Sequence, residues 1–470
     1  MKKSSNILQL ENEENISFLN TVKTVCRLSI PAIMAEITSI AMQYIDAAMV
    51  GSLGAGASAA IGLVSSTSWL INGLCISLAT GFSVQIAHFV GANRHEDARN
   101  VFRQSLMIAL VFGLLLAMAA ISISGNLPVW LGGDAEIIKD ASRYFLIYAC
   151  ALPATQLRQL SGSALQCSGD MRTPSMLSIL LCVLDVIFNF MFIFPSRVVT
   201  FLGLNFTVFG AGLGVSGAAL GTAAAEILIA LLMLSAACLR SDKLAFRLGG
   251  KWKPQIQCMK NACKIALPAA LEHSVMCSAH VAATKIIAPL GTVAVAANSL
   301  AVTAESFCYM PGYGIGAAAT TLVGQSLGAG QKQLARHFAR ISVLLGVVMM
   351  SLTAIIMFFI APTMFALLTP SAQVRTLGTQ VLRIEAFAEP LYAASIVCAG
   401  ALRGAGDTFV PSILNLVSMW GVRISASILL VPYFGLHGVW IAMCGELCFR
   451  GILFLIRLFR EKWLNKKVIV

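Results

Sequence analysis

Asp46, Asp185, Asn189, Glu272 and Glu305 are polar side chains set inside long apolar stretches. A carboxyl group in the bilayer core costs several kcal/mol unless it is paired or hydrated, so such an acid is a candidate working group. Burial favours the neutral form of an acid, which lets it exchange a proton near neutral pH. Asp46 falls fifteen residues after Pro31, which removes a backbone donor and permits a kink between the helix start and the acid. Asp185 and Asn189 are spaced i, i+4 in LDVIFNFMFIFP, which stacks them on one helix face. These three make a candidate ion- or proton-coupling set. Glu272 follows Pro268 by four residues, and Glu305 lies in AVTAESFCYMPGYG. Facing a cavity, both would make it negative and attract an organic cation. Tyr44, Tyr309 and Tyr392, with Phe82, Phe307 and 19 methionines, could line an adaptable, cation-accepting wall.

Each residue also has a plainer reading. Asp46 could be solvated by outer water at a helix end, and Asp185 with Asn189 could form a hydrogen bond between helices. Glu272 and Glu305 could pack against His273, His280 or Lys285, and the Met and aromatic residues could be lipid or core contacts. Glu36, His88, Glu226, Glu385, Glu389, Arg423 and Glu446 are expected near helix ends or in internal pairs. H-E-x-x-H, G-x-S-x-G and P-loop spacings are absent from the sequence, so an enzyme is not expected. The 13 cysteines lie mostly in apolar segments without a C-x-x-C pair, which points to packing rather than metal or disulfide chemistry.

The elements that position these residues follow from composition. The chain is 58% hydrophobic and 11% charged, whereas a soluble domain carries about 25% charged residues. Lipid is therefore its main solvent, and each crossing needs about 20 apolar residues. Twelve spans are expected at 28–50, 57–87, 104–124, 141–165, 174–195, 212–238, 262–288, 294–325, 341–361, 378–401, 411–431 and 437–457. With both termini cytoplasmic, inner segments hold 25 of the 33 Lys and Arg and outer segments with adjoining helix ends hold 6, which favours that orientation. The net charge of +12 is spread over short loops, so a nucleic-acid partner is not expected. The polar first 27 residues contain no apolar signal-peptide core.

A shift of 237 residues superimposes the two halves without a gap as far as Pro195 and its counterpart Pro432. It pairs Pro31 with Pro268, Leu53-Gly54 with Leu290-Gly291, Gly91-Ala92 with Gly328-Ala329, Arg99 and Arg103 with Arg336 and Arg340, and Gly169-Asp170 with Gly406-Asp407. Such a register indicates duplication. The paired basic residues must share one side, so each half has an even number of spans and the repeat is parallel. Parallel repeats place a transported substrate near the midplane between the halves. The expected division is an N-terminal segment 1–27, an N-lobe 28–238, a basic linker 239–261, a C-lobe 262–457 and a tail 458–470. Ser196 to Leu213, without a counterpart in the second half, is an outer insert, a small hairpin or a lid.

The sequence resembles the MATE (multidrug and toxic compound extrusion) family. The resemblance rests on Pro31 with YIDAAMVGSLG, LGTVAVAANSLA from Leu290, LVGQSLGAG from Leu322, GALRGAGDTFVP from Gly400, GVWIA at Gly438 and RLFREKW ending at Trp463. It implies an all-α polytopic membrane protein, twelve transmembrane helices in two six-helix lobes forming a V. It further implies efflux of bulky organic cations or drugs, driven by H+ or Na+ with no other cofactor, from a bacterial inner membrane. A monomer is the expected working unit. Asp46 corresponds to an N-lobe aspartate whose protonation is linked to bending of the first helix, with Pro31 and Pro268 as conformational positions. The family commonly has Asn first and an acid or Asn four residues on, so Asp185 and Asn189 stand in exchanged order. Met276 and Tyr392 occupy the places of the second-half acids of the NorM branch, which favours H+ over Na+. A lipid-linked oligosaccharide flippase shares the architecture but calls for a basic cavity, and Arg423 is the one intramembrane basic residue expected away from a helix end. A channel is disfavoured, because its filter would need rings of groups.

Overall fold

The computed structural model describes residues 18–201, 204–246, 252 and 255–466. The N-terminal segment up to residue 17 and much of the basic linker lie outside those limits. Twelve long helical elements follow one another. In the first half they are α1 (Phe18–Gly51), α2 (Ala55–Gly91), α3 (His95–Ile123), α4 (Ala135–Ser168), α5 (Arg172–Ile193) and α6 (Gly214–Arg240). In the second they are α7 (Ile256–Ile287), α8 (Thr292–Gly328), α9 (Lys332–Leu368), α10 (Ala372–Glu385 continued by Glu389–Gly404), α11 (Phe409–Phe434) and α12 (Leu436–Phe459). Among the described residues nine are apolar and long enough to cross a membrane by length and composition alone. The other three, α4, α7 and α10, either carry polar and charged side chains or are broken.

Several helices outrun the apolar spans. A helix of 34 residues such as α1 is about 51 Å long, against a hydrocarbon core of about 30 Å. Its first turns, with Lys23 and Arg27, therefore project past the apolar layer. This is why α1 begins at Phe18 and α7 at Ile256, both earlier than hydropathy suggests. Residues 195–211 form an antiparallel hairpin, β1 (Pro195–Phe201) with β2 (Leu204–Ala211), between α5 and α6. At the corresponding place in the second half α11 and α12 are joined by a tight turn at Gly435, φ 55°.

The duplication is visible in backbone detail. The α1–α2 turn has Gly54 at φ 116°, and the α7–α8 turn has Gly291 at φ 94°. Both positions need the left-handed region that glycine enters without a Cβ penalty. In the α2–α3 and α8–α9 turns the same need is met by Asn93 at φ 57° and Gly330 at φ 79°. Lipid-facing stripes correspond as well: Val111, Leu114, Leu115 and Met118 of α3 are exposed, as are Val348, Leu352, Ile355 and Ile356 of α9.

Each lobe packs its own six helices, and the lobes touch through α1 against α8 and α2 against α7 and α8. The α1–α8 and α7–α2 contacts are images of each other under the repeat. Residues 81–88 of α2 and 321–327 of α8 are all buried, whereas α2 and α8 are largely exposed at their starts near Gly54 and Gly291. The lobes thus meet at the Ala92 and Ala329 end and splay at the other, which gives the V.

Candidate functional site

In the N-lobe, α1 and α5 bring Asp46, Asp185 and Asn189 together. Asn189 Nδ2 donates to Asp46 Oδ1 at 2.9 Å and to Asp185 Oδ2 at 3.0 Å, so one amide holds two carboxyls. The two aspartate side chains also meet directly. Asp185 and Asn189 are buried, and Asp46 is half-buried. Asp185 Oδ1 and Asn189 Oδ1 are buried without a hydrogen-bond partner among the described residues, which leaves two acceptor positions beside the carboxyl pair. Two unit charges at about 4 Å repel by about 4 kcal/mol at an effective dielectric constant of about 20. The pair therefore needs a proton or a cation to remain in place.

Gly221 of α6 makes this geometry possible. A Cβ there would lie 2.1 Å from Asn189 Oδ1 and 2.9 Å from its backbone nitrogen, so only glycine lets α6 approach α5 at the polar turn. The neighbouring cation offers no relief to the aspartates. Arg158 Nε of α4 is 2.5 Å from Glu226 Oε2 of α6, a closed pair within the lobe.

The C-lobe holds a second group of acids. The carboxyls of Glu305 (α8), Glu385 and Glu389 (α10) meet side chain to side chain. Glu385 and Glu389 are fully buried, and among the described residues none of their four oxygens accepts from a backbone N–H or a basic side chain. They flank the break in α10 at residues 386–388. Both do stand at helix ends, Glu385 closing one segment of α10 and Glu389 opening the next, but the ends are those of an internal break and not of the span; their i, i+4 spacing was the available signal, and the break hides which way each side points. Glu226 and Glu446 do pair internally: Glu446 accepts from Ser418 and lies 3.2 Å from Arg450.

Glu272 sits elsewhere. It accepts from Asn415 Nδ2 at 2.7 Å, Arg403 Nη2 at 3.1 Å and Ser412 Oγ at 3.3 Å, which ties α7 to α10 and α11. Its hydrogen-bond partners are none of His273, His280 or Lys285, although the neighbouring His273 feels its charge, and its carboxyl is already satisfied. Tyr309 packs edge-on against Tyr392 at 5.6 Å between ring centres, and Arg450 lies 5.3 Å over the Tyr392 ring. Tyr44 stacks on Phe307 across the lobe boundary at 5.3 Å. Pro31 and Pro268 lie inside α1 and α7, and the Pro268 carbonyl accepts from Ser412 Oγ at 2.9 Å. Arg423 is not the one basic residue deep in a helix, since Arg158 and Arg450 are too, but those two are matched by Glu226 and Glu446. Arg423 Nη2 instead rests on Met443 Sδ at 2.7 Å.

The comparisons with known proteins agree with this arrangement. The MatE family pattern matches twice, at residues 31–191 and 268–429, once in each lobe. A Thermotoga maritima protein described as a probable multidrug resistance protein NorM is 25% identical over 452 residues, covering 95% of this chain and 94% of its own. A Burkholderia pseudomallei protein of the same description is 26% identical over 445 residues, covering 93% and 92%. A crystal structure of MATE in the straight conformation superimposes with a TM-score of 0.87 at 21% identity, covering 95% of this chain and 97% of that one. The outward-facing conformation of a multidrug resistance MATE family transporter of the MOP superfamily gives the same score and coverage. Two matches in register with two six-helix lobes leave one conclusion: the chain belongs to the MatE family of multi-pass membrane transporters.

Proposed function

We propose that this protein exports organic cations and similar drugs in exchange for protons, by alternating access of a cavity between its lobes. The observation that carries the reading is the Asp46–Asn189–Asp185 cluster: two carboxyls on one amide, without a basic partner among the described residues, one of them on a helix that also touches the other lobe. The kinship to proteins described as multidrug resistance proteins supports the class of cargo.

The coupling follows from connectivity. α1 touches α5 of its own lobe at Asp46 and α8 of the other lobe. A proton on Asp46 changes the grip of Asn189 on α1, and Pro31 gives α1 a place to bend. A proton and a cation that favour different states then compete through the conformational equilibrium. Exchange of one proton for one monovalent cation cancels the electrical term, about 2.3 kcal/mol per charge per 100 mV. The C-lobe acids add negative charge that draws the cation in, with Glu305 the least buried of the three and Tyr309 and Tyr392 beside it.

The bias of Lys and Arg supports an orientation with the Ala92 and Ala329 end and both termini in the cytoplasm; a bacterial inner membrane and a single chain as the working unit complete this reading. The open end of the V then faces outward. The test is export of ethidium from cells making the protein, with the proton and sodium gradients collapsed separately. Loss of export with the proton gradient alone is the expected result; an unaffected panel of organic cations in the wild type would sink the reading.

A further inference from the structure

The closed end of the V is held by two hydrogen bonds that are images of each other under the repeat. His88 Nε2 of α2 bonds to the Gly404 carbonyl of α10 at 2.9 Å, and because a carbonyl only accepts, Nε2 carries the proton. Gln325 Nε2 of α8 donates to the Cys167 carbonyl of α4 at 2.8 Å. His88 and Gln325 are equivalent residues of the two halves, and so are Cys167 and Gly404. Each bond crosses from one lobe to the other, and both donors are almost fully buried, at 1% and 2% exposure.

The backbones between them are in contact. A Cβ on Gly91 would lie 2.0 Å from the Gln325 carbonyl oxygen, and one on the equivalent Gly328 would lie 2.1 Å from the His88 carbonyl oxygen. The two helices cross glycine against carbonyl, twice, about the pseudo-twofold axis. Around this crossing Thr321 Oγ1 donates to the Gln166 carbonyl at 3.1 Å, and Gln85 Nε2 to the Cys258 carbonyl at 3.2 Å, again between lobes. The Cys167 and Gly404 carbonyls lie in the last turns of α4 and α10, where carbonyls lack partners within the helix. Both residues are buried, so His88 and Gln325 each satisfy a group that must otherwise find water.

We propose that His88 and Gln325 are paired positioning residues that hold the cytoplasmic end shut, and that both bonds break each time the cavity opens inward. The proposal rests on the alternating-access reading for its place in the cycle, but the latch itself is a property of the closed state. Water entering the parted seam satisfies the freed carbonyls, so release of this pair costs two modest bonds rather than two stranded groups. Two equivalent bonds about one axis also release together, which suits rocking of whole lobes.

The protein carries its own reporters. Cys167 and Cys258 are buried in the seam, whereas Cys75 and Cys398 are fully buried inside the N-lobe and the C-lobe. Maleimide labelling of the full chain in membrane vesicles, read residue by residue by mass spectrometry, needs no substrate. His88→Ala and Gln325→Ala are each expected to speed labelling of Cys167 and Cys258 from the cytoplasmic face about fivefold, as loss of one ordinary hydrogen bond gives. The double variant is expected at about 25-fold, with Cys75 and Cys398 unchanged. His88→Gln, which copies the equivalent residue, is expected to restore protection. Unchanged seam labelling, labelling of all four cysteines together, or failure of His88→Gln to protect would each overturn the latch. Labelling from the outer face alone would overturn the orientation, and absent drug export with the expected labelling would overturn the export reading and not the latch.

Discussion

Replacing Asn189 by alanine removes the carboxamide whose nitrogen donates to both Asp46 and Asp185. A hydrogen bond to a charged group contributes about 1.5–3 kcal/mol. Repulsion allows only one of the two carboxyls to be charged at a time, so the ionised site loses one such bond. That is a factor of about 10–150 in any step that passes through the ionised site. The assay is the initial rate of proton-driven ethidium export at matched amounts of protein in the membrane. Asn189→Ala is expected to export at least tenfold more slowly than wild type. Asn189→Asp keeps the shape but replaces the donor with an acceptor, and a loss at least as large is expected from it. A rate within twofold of wild type for Asn189→Ala, or normal export by Asn189→Asp, would refute the argument that the amide governs the site.

Three further outcomes follow from the same geometry. Glu226→Gln leaves the Arg158 guanidinium uncompensated inside the lobe, at a cost of about 3–5 kcal/mol, so the thermal midpoint in detergent falls while cation affinity is kept. Gly91→Ala puts a methyl group 2.0 Å from the Gln325 carbonyl oxygen, and seam labelling at Cys167 rises at least as much as in His88→Ala. Glu305→Gln removes one of three clustered carboxyls; the half-saturating ethidium concentration rises several-fold with the maximal rate within twofold, and an unchanged value would exclude Glu305 from cation attraction.

The helices and their pairing were legible because lipid imposes one rule on every span and duplication imposes one register. The register reaches single turns, as at Gly54 and Gly291, where the same backbone need recurs. The N-lobe site was half legible. The i, i+4 spacing of Asp185 and Asn189 put them on one face, but their meeting with Asp46 depends on how α1 packs on α5, and that depends on Gly221 in a third helix. Glu272 shows the reverse. Its setting after Pro268 suggested a cavity acid, while its partners Arg403, Ser412 and Asn415 come from helices more than a hundred residues away. The C-lobe triad depends on a break in α10 that hydropathy does not register, and the latch depends on backbone carbonyls, which no side-chain pattern announces.

The most direct test of the account is proton release on substrate binding. Purified protein in weakly buffered detergent solution, given ethidium in the absence of any gradient, is expected to release close to one proton per cation bound. Asp46→Asn is expected to bind ethidium with little or no release. Equal release by wild type and Asp46→Asn, or binding by the wild type without release, would contradict the claim that a proton and the cation compete through the Asp46–Asp185 pair.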